Sequence, residues 1–157
     1  MTCFRAFVAL ALSILGAHGD GPELAWAIAR VVVLEHGHEA PVYTSHAHDA
    51  ALMAWVATQE SGARLDAVNP WGRSFGAWQQ DASVAKGTPA IVQARAWYAH
   101  LRRGKRLCPN HPLAIMWGQC HSRSVLTGGD TEDLAIGRED AALRILQARI
   151  ARQLLIP

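Results

Sequence analysis

Apolar side chains return along this chain every three or four residues, the spacing of one face of an α-helix, and glycine and proline divide the stretches that carry it. Leu24, Ala27, Ile28, Val31 and Leu34 form such a stripe between Pro22 and about Glu35, and Gly37 suits its end. A second helix is predicted from about His46 to Ser61. A third begins at Thr88-Pro89, a capping residue followed by proline at the first helical position, and carries Ile91, Val92, Trp97 and Leu101 to a stop at Gly104. A short apolar segment, Leu113 to Trp117, precedes a last helix from about Glu139 to Leu155, with Leu143, Leu146, Ile150 and Leu154 on one stripe and its arginines elsewhere. No stretch alternates as a strand does, and no internal repeat or low-complexity tract is present. The expectation is an all-α fold.

A length of 157 residues, 50% of them hydrophobic, suffices for one core and hardly for two, so a single domain and a monomer are the defaults. Fifteen lysines and arginines against thirteen acids leave no dense basic face, which argues against nucleic acid as a partner. At the N-terminus, Arg5, the apolar run Phe7 to Leu15 and the small residues around Ala17-His18-Gly19 have the layout of an export signal cut near Gly19. Residues 1–19 are therefore read as a signal and 20–157 as the mature domain, secreted or periplasmic. The run is shorter than the ~20 residues of a membrane span, so stable membrane insertion is not expected once the signal is removed. A retained anchor is the alternative reading. Cys3 would leave with the signal, and Cys108 and Cys120 would remain to close a short loop by a disulfide, with a stabilisation of about 3 kcal/mol. Two buried free thiols are the other reading of that pair.

The segment from Gln59 to Asp81 leaves the helical period halfway and becomes a loop punctuated by Gly62, Gly72 and Gly76. If the second helix reaches Ser61, Met53, Val56, Ala57 and Glu60 share a face, and the Glu60 carboxyl projects from the apolar side of the helix end. Apolar neighbours raise a carboxyl pKa, and an acid still protonated near neutral pH is what glycosidic cleavage requires, because the departing sugar oxygen must receive a proton. A solvated glutamate ending a surface helix is the plainer reading of the same spacing.

Glu60-Ser61, Gly62, Ala67-Val68, Pro70, Gly72, Gly76 and Gln79 together resemble the signature of the soluble lytic transglycosylases and the wider lysozyme-like superfamily, with one extra residue between Gly72 and Gly76 relative to the commonest spacing. The resemblance covers this segment firmly and the preceding helix loosely. It implies a lysozyme-like domain with a Gly-rich active-site loop after the catalytic helix. It also implies cleavage of peptidoglycan glycan strands at the β-1,4 bond between N-acetylmuramic acid and N-acetylglucosamine, leaving 1,6-anhydro-muramic ends. Glu60 would be the general acid and then the base, and Ser61 and Gln79 would bind the glycan or orient nearby groups. Gly76 would let the loop or a sugar approach closely, and Trp78 would join Trp71 and Phe75 along the sugar cleft or, equally, lie in the core. No metal and no organic cofactor is implied.

The chain also departs from the pattern. Ala63 stands where a larger apolar or aromatic residue is usual, and Asn69 where serine is frequent. The downstream Ala-Tyr-Asn-like element has only Ala114-Ile115-Met116-Trp117-Gly118 as its counterpart, without a tyrosine, so Tyr98 from another helix is the candidate substitute. Phe75-Gly76-Ala77-Trp78-Gln79-Gln80-Asp81 resembles an element of goose-type lysozymes, in which Asp81 would help position an attacking water and make the enzyme a hydrolase; a helix or turn cap is its other role. Two further readings stay open. His36, His38, His46 and His48 with Asp49 offer donors for a secreted Zn²⁺- or Cu²⁺-binding module, although their spacing matches no specific signature. A glycan-binding protein of the same fold without turnover is the other.

Overall fold

A computed structural model describes residues 3–17, 19–36, 43–80 and 84–109. Among them the chain is all-α, with helices α1 (Cys3–Leu15), α2 (Gly21–His36), α3 (Tyr43–Ser61) and α4 (Ala90–Leu107) and no strand. None of the described helices is long and apolar enough to cross a membrane. The segments predicted at 113–117 and 139–155 lie outside the described residues, as do Asp81 and Cys120.

The second helix, α2, is the hub of the packing and touches α1, α3 and α4. Pro22 sits in its first turn, where a fixed φ suits the helix and no amide is lost, and Glu23 complements the positive end of the helix dipole. Leu24, Ala27, Ile28 and Val31 are buried as their stripe predicts, but so are Ala25, Ala29 and Val32, because neighbours surround α2 on several sides. Leu34, expected on the stripe, is exposed.

Helix α3 begins at Tyr43, slightly before the predicted start, and buries Leu52, Met53 and Val56 among five alanines, Ala47, Ala50, Ala51, Ala54 and Ala57. Methyl groups at these positions let α1 and α2 lie close against it. The inner face of α4 consists of Ala90, Gln93, Ala94, Trp97, Tyr98, Leu101 and Gly104. Val92, predicted on that stripe, is exposed to one side of it.

The ends of α4 differ from expectation. Pro89 holds the N-cap position without a side-chain bond, while the Thr88 hydroxyl closes a turn on Ala85, accepting from its N–H at 3.1 Å and donating to its carbonyl at 2.8 Å. Gly104 does not stop the helix, which continues to Leu107 until the Cys108 N–H bonds the Gly104 carbonyl at 2.7 Å. The Cys108 side chain is buried there.

The first helix, α1, falls within the segment read as an export signal. It packs on α2 and α3 with Phe7, Leu10 and Ala11 buried, and Phe4 meets Trp26 edge to face at 6.4 Å.

A polar cluster ties α3 to α4. Asp49, 1% exposed, accepts from the Tyr98 hydroxyl at 3.0 Å and from Lys105 Nζ, with His48 Nδ1 at 4.0 Å. Burial pushes the Asp49 carboxyl up, but the nearby His48 imidazole, the charge and hydrogen bond of Lys105, and the Tyr98 hydroxyl outweigh it and hold it below the usual carboxylate range. Tyr98 is thus committed between two helices and does not line the cleft described next, which removes it as a substitute for the tyrosine of the family pattern.

Candidate active site

The chain leaves α3 through two successive left-handed residues, Gly62 at φ 66° and Ala63 at φ 61°. The Gly62 N–H caps the Thr58 carbonyl at 3.0 Å and the Ala63 N–H reaches the Ala57 carbonyl at 3.0 Å, so the helix ends sharply and the chain folds back. Ala63 then tucks its methyl into the core.

Residues 67 to 80 form a compact loop of three limbs. Isolated antiparallel bridges join Val68 to Phe75 and Phe75 to Gln80, and the Gly76 N–H donates to the Ala67 carbonyl at 2.8 Å. Asn69 organises the outer turn: its side-chain oxygen accepts from the Arg73 N–H at 2.9 Å, its amide donates to Ser74 Oγ at 3.3 Å, and its carbonyl accepts from the Gly72 N–H at 2.9 Å. An asparagine here holds a network that the shorter serine of the pattern would not span.

Between the end of α3 and this loop lies an open cleft of about 560 Å³, lined on one side by Gln59, Glu60 and Ser61 and on the other by Val68, Asn69, Ser74 and Gln79. Glu60 is exposed at the mouth of it, whereas Met53, Val56 and Ala57 on the same helical face are buried. The spacing placed the carboxyl on the correct face; burial fails because the last turn of α3 extends past the core. The expectation of an apolar pocket around Glu60 is corrected accordingly.

Ser61 is engaged with backbone. Its hydroxyl lies 3.0 Å from the Ala57 carbonyl and 2.8 Å from the Ala77 carbonyl, which share its proton, and its oxygen accepts from the Arg64 N–H at 3.0 Å. These bonds tie the end of α3 to the 76–79 turn, and Ser61 also lines the cleft. Gln79 lines the cleft from a left-handed φ of 48° and donates through Nε2 to the Gly76 carbonyl at 2.9 Å. Such a conformation costs about 1–3 kcal/mol and is concentrated at functional sites.

Two of the expected contacts with sugar are not made available. Trp78, 1% exposed, stacks on Trp97 at 6.2 Å and donates its Nε1–H to the Met53 carbonyl at 2.8 Å, so it is a core residue rather than a cleft residue. Its burial follows from the turn at 76–79, which aims it inward while the outer turn leaves Trp71 83% exposed. Gly76 is buried behind the cleft wall, where the approach it permits is that of Gln93: a Cβ on Gly76 would stand 2.1 Å from Gln93 Oε1.

No family model matches the chain, and no curated protein or solved structure matches it either. What the cleft does is therefore read from its own residues. Its chemistry is that of one exposed carboxylate facing polar side chains and backbone, a group able to give and take a proton. Among the described residues no cluster of three or more metal-ligating side chains occurs; His46 and His48 are within them, and His38 lies outside.

The principal residue missed by the sequence is Gln93. It is fully buried, its Oε1 accepts from the Ala77 N–H at 2.9 Å, and its Nε2 donates to the carbonyls of Leu65 at 3.1 Å and Thr88 at 2.7 Å. Its own carbonyl accepts from Gln80 Nε2 at 2.9 Å. A glutamine in register with Ala90, Ala94, Trp97 and Leu101 on an apolar stripe is the signal that marks it.

Proposed function

We propose that this chain is an exported, lysozyme-like lytic transglycosylase that cleaves peptidoglycan glycan strands between N-acetylmuramic acid and N-acetylglucosamine. The observation that carries the reading is the placement of Glu60: the motif glutamate stands at the lip of a cleft whose facing wall is the rest of the same motif, Val68 to Pro70 and Gln79.

In the proposed reaction Glu60 donates its proton to the glycosidic oxygen as the bond to muramic C1 breaks, releasing the N-acetylglucosamine end. The muramic 6-hydroxyl oxygen then bonds C1, and Glu60 takes up the proton that this oxygen loses, which restores the acid. No water and no second carboxylate enters the balance. Because Glu60 is exposed in the free protein, the protonated state is attributed to the bound one: a strand lying over the carboxyl displaces water, and dehydration favours the neutral acid. Trp71, exposed beside Pro70 of the cleft wall, supplies a flat face for a pyranose ring.

Incubation of purified peptidoglycan with wild-type protein and with Glu60→Gln, followed by mass spectrometry of released muropeptides, tests this. Anhydro-muramic ends from wild type and none from Glu60→Gln are expected. Reducing ends would make water the acceptor and the enzyme a hydrolase, and turnover by Glu60→Gln would remove the assignment of the acid. Export through residues 1–19 is part of the proposal and is tested by the N-terminal sequence of the exported protein.

A further inference from the structure

Ala77 is held at both faces of its backbone. Its N–H donates to Gln93 Oε1 at 2.9 Å, and its carbonyl accepts from the Ser61 hydroxyl at 2.8 Å. Ser61 is the residue after Glu60, and Gln79, two residues after Ala77, lines the opposite wall of the cleft. To this chain of bonds α4 contributes the Gln93 amide. That amide is itself fixed, since both protons of Nε2 are spent on the carbonyls of Leu65, shortly after α3, and Thr88, just before α4.

We propose that Gln93 is a positioning residue for the cleft: through Ala77 it sets the separation between the Glu60–Ser61 end of α3 and the Gly76–Gln79 turn. The inference rests on the cleavage reading above. Gln93 is fully buried and does not line the cleft, so it acts on the ligand only through the groups it holds.

The geometry explains why the role needs this side chain. One acceptor must meet the Ala77 N–H while two donors meet carbonyls that arrive from different directions, and a primary amide is the uncharged group that offers both. Gly76 completes the arrangement, because any β-carbon there would occupy the space of the Gln93 oxygen. Loss of the amide leaves the helix face able to pack but frees the Ala77 unit to shift, and a shift of about 1 Å in a positioned group costs on the order of 10²-fold in rate.

The test uses the full chain carrying Gln93→Met, which keeps the length of the side chain and removes every hydrogen bond that side chain makes, with Gln93→Glu beside it. Glutamate keeps the acceptor for Ala77 and, when ionised, has no donor for Leu65 and Thr88. Release of muropeptides is followed at a temperature where circular dichroism shows each variant folded. Exchange of the Ala77 amide proton is measured by NMR in the same samples. The expected result is a fall in kcat of about 10²-fold with KM little changed, together with faster exchange at Ala77 in Gln93→Met. A side chain that merely stabilises the fold would lower the melting temperature and leave kcat of the folded protein as in wild type; that result overturns the inference. If Gln93→Met does not fold, the kcat of Gln93→Glu decides in the same way. Wild-type protein that releases no muropeptide overturns the cleavage reading itself, and this inference with it, whereas an active wild type with an equally active Gln93 variant overturns this inference alone.

Discussion

Replacing Gly76 by alanine introduces two separable penalties. The backbone stands at φ 78°, a left-handed conformation that costs an alanine about 1–2 kcal/mol. The new β-carbon would also stand 2.1 Å from Gln93 Oε1 and 2.6 Å from its Cδ. A glutamine tip on a surface would swing aside, but this one is fully buried and tied by three hydrogen bonds, of 2.9, 3.1 and 2.7 Å. Retreat of the amide breaks two or three of them at about 1 kcal/mol net each, and more where the Ala77 N–H is left buried and unpaired. The sum is about 3–5 kcal/mol, against a stability of ~5–15 kcal/mol for a domain. Urea unfolding followed by tryptophan fluorescence would measure it in wild type, Gly76→Ala, Gln93→Ala and the double variant. In the Gln93→Ala background the clash is absent, so Gly76→Ala should there cost only the backbone part, about 1–2 kcal/mol. An equal cost in both backgrounds would refute the contact, and a cost below ~0.5 kcal/mol in wild type would refute both penalties.

Three other outcomes follow from the same geometry. Trp78→Ala should destabilise by about 3–5 kcal/mol, because it empties a stacked and hydrogen-bonded core site. Trp71→Ala, at a residue 83% exposed, should change stability by less than ~0.5 kcal/mol and instead raise KM for glycan strands; comparable melting shifts in the two variants would contradict the assignment. Asp49→Ala should cost about 2–4 kcal/mol at neutral pH by unpairing Tyr98 and Lys105. Since the Asp49 carboxyl is held below its unfolded value of about 3.9, its contribution is complete above that value and is lost as pH falls through the lower, folded one. The gap between wild type and Asp49→Ala in urea unfolding should therefore narrow below about pH 4, and a gap independent of pH would show that the charge is immaterial.

The helices were legible where an apolar stripe meets a partner. Trp97 and Leu101 of α4 occupy the positions that period predicts, and so do Leu24, Ala27, Ile28 and Val31 of α2, although its further neighbours bury more than the stripe. The residues that escaped are those whose fate depends on chain path rather than on period. Trp71 and Trp78 stand in one loop with the same side chain, and only the hydrogen bonds that aim each turn send one to solvent and the other to the core. Glu60 was placed on the correct face of α3, yet no periodicity reveals where a helix outruns the core beneath it. Phe7 to Leu15 presents the reverse case: the short apolar run that reads in the sequence as a signal forms, in the fold, the helix that packs on α2 and α3. Gln93 was visible as a polar residue on an apolar stripe, but its partners, Leu65, Ala77 and Thr88, come from segments without period, so nothing local to α4 names them.

The five buried alanines of α3 fix how this domain can vary. Where helices are separated by methyl groups there is almost no volume to remove, so truncation to glycine opens little cavity and costs mainly the ~1 kcal/mol by which glycine disfavours a helix interior, while any enlargement must push whole helices apart. Substitutions that enlarge Ala50, Ala51 or Ala54 would be admitted only with a matching reduction on α1 or α2, a paired change that should leave covariation between helices as its record.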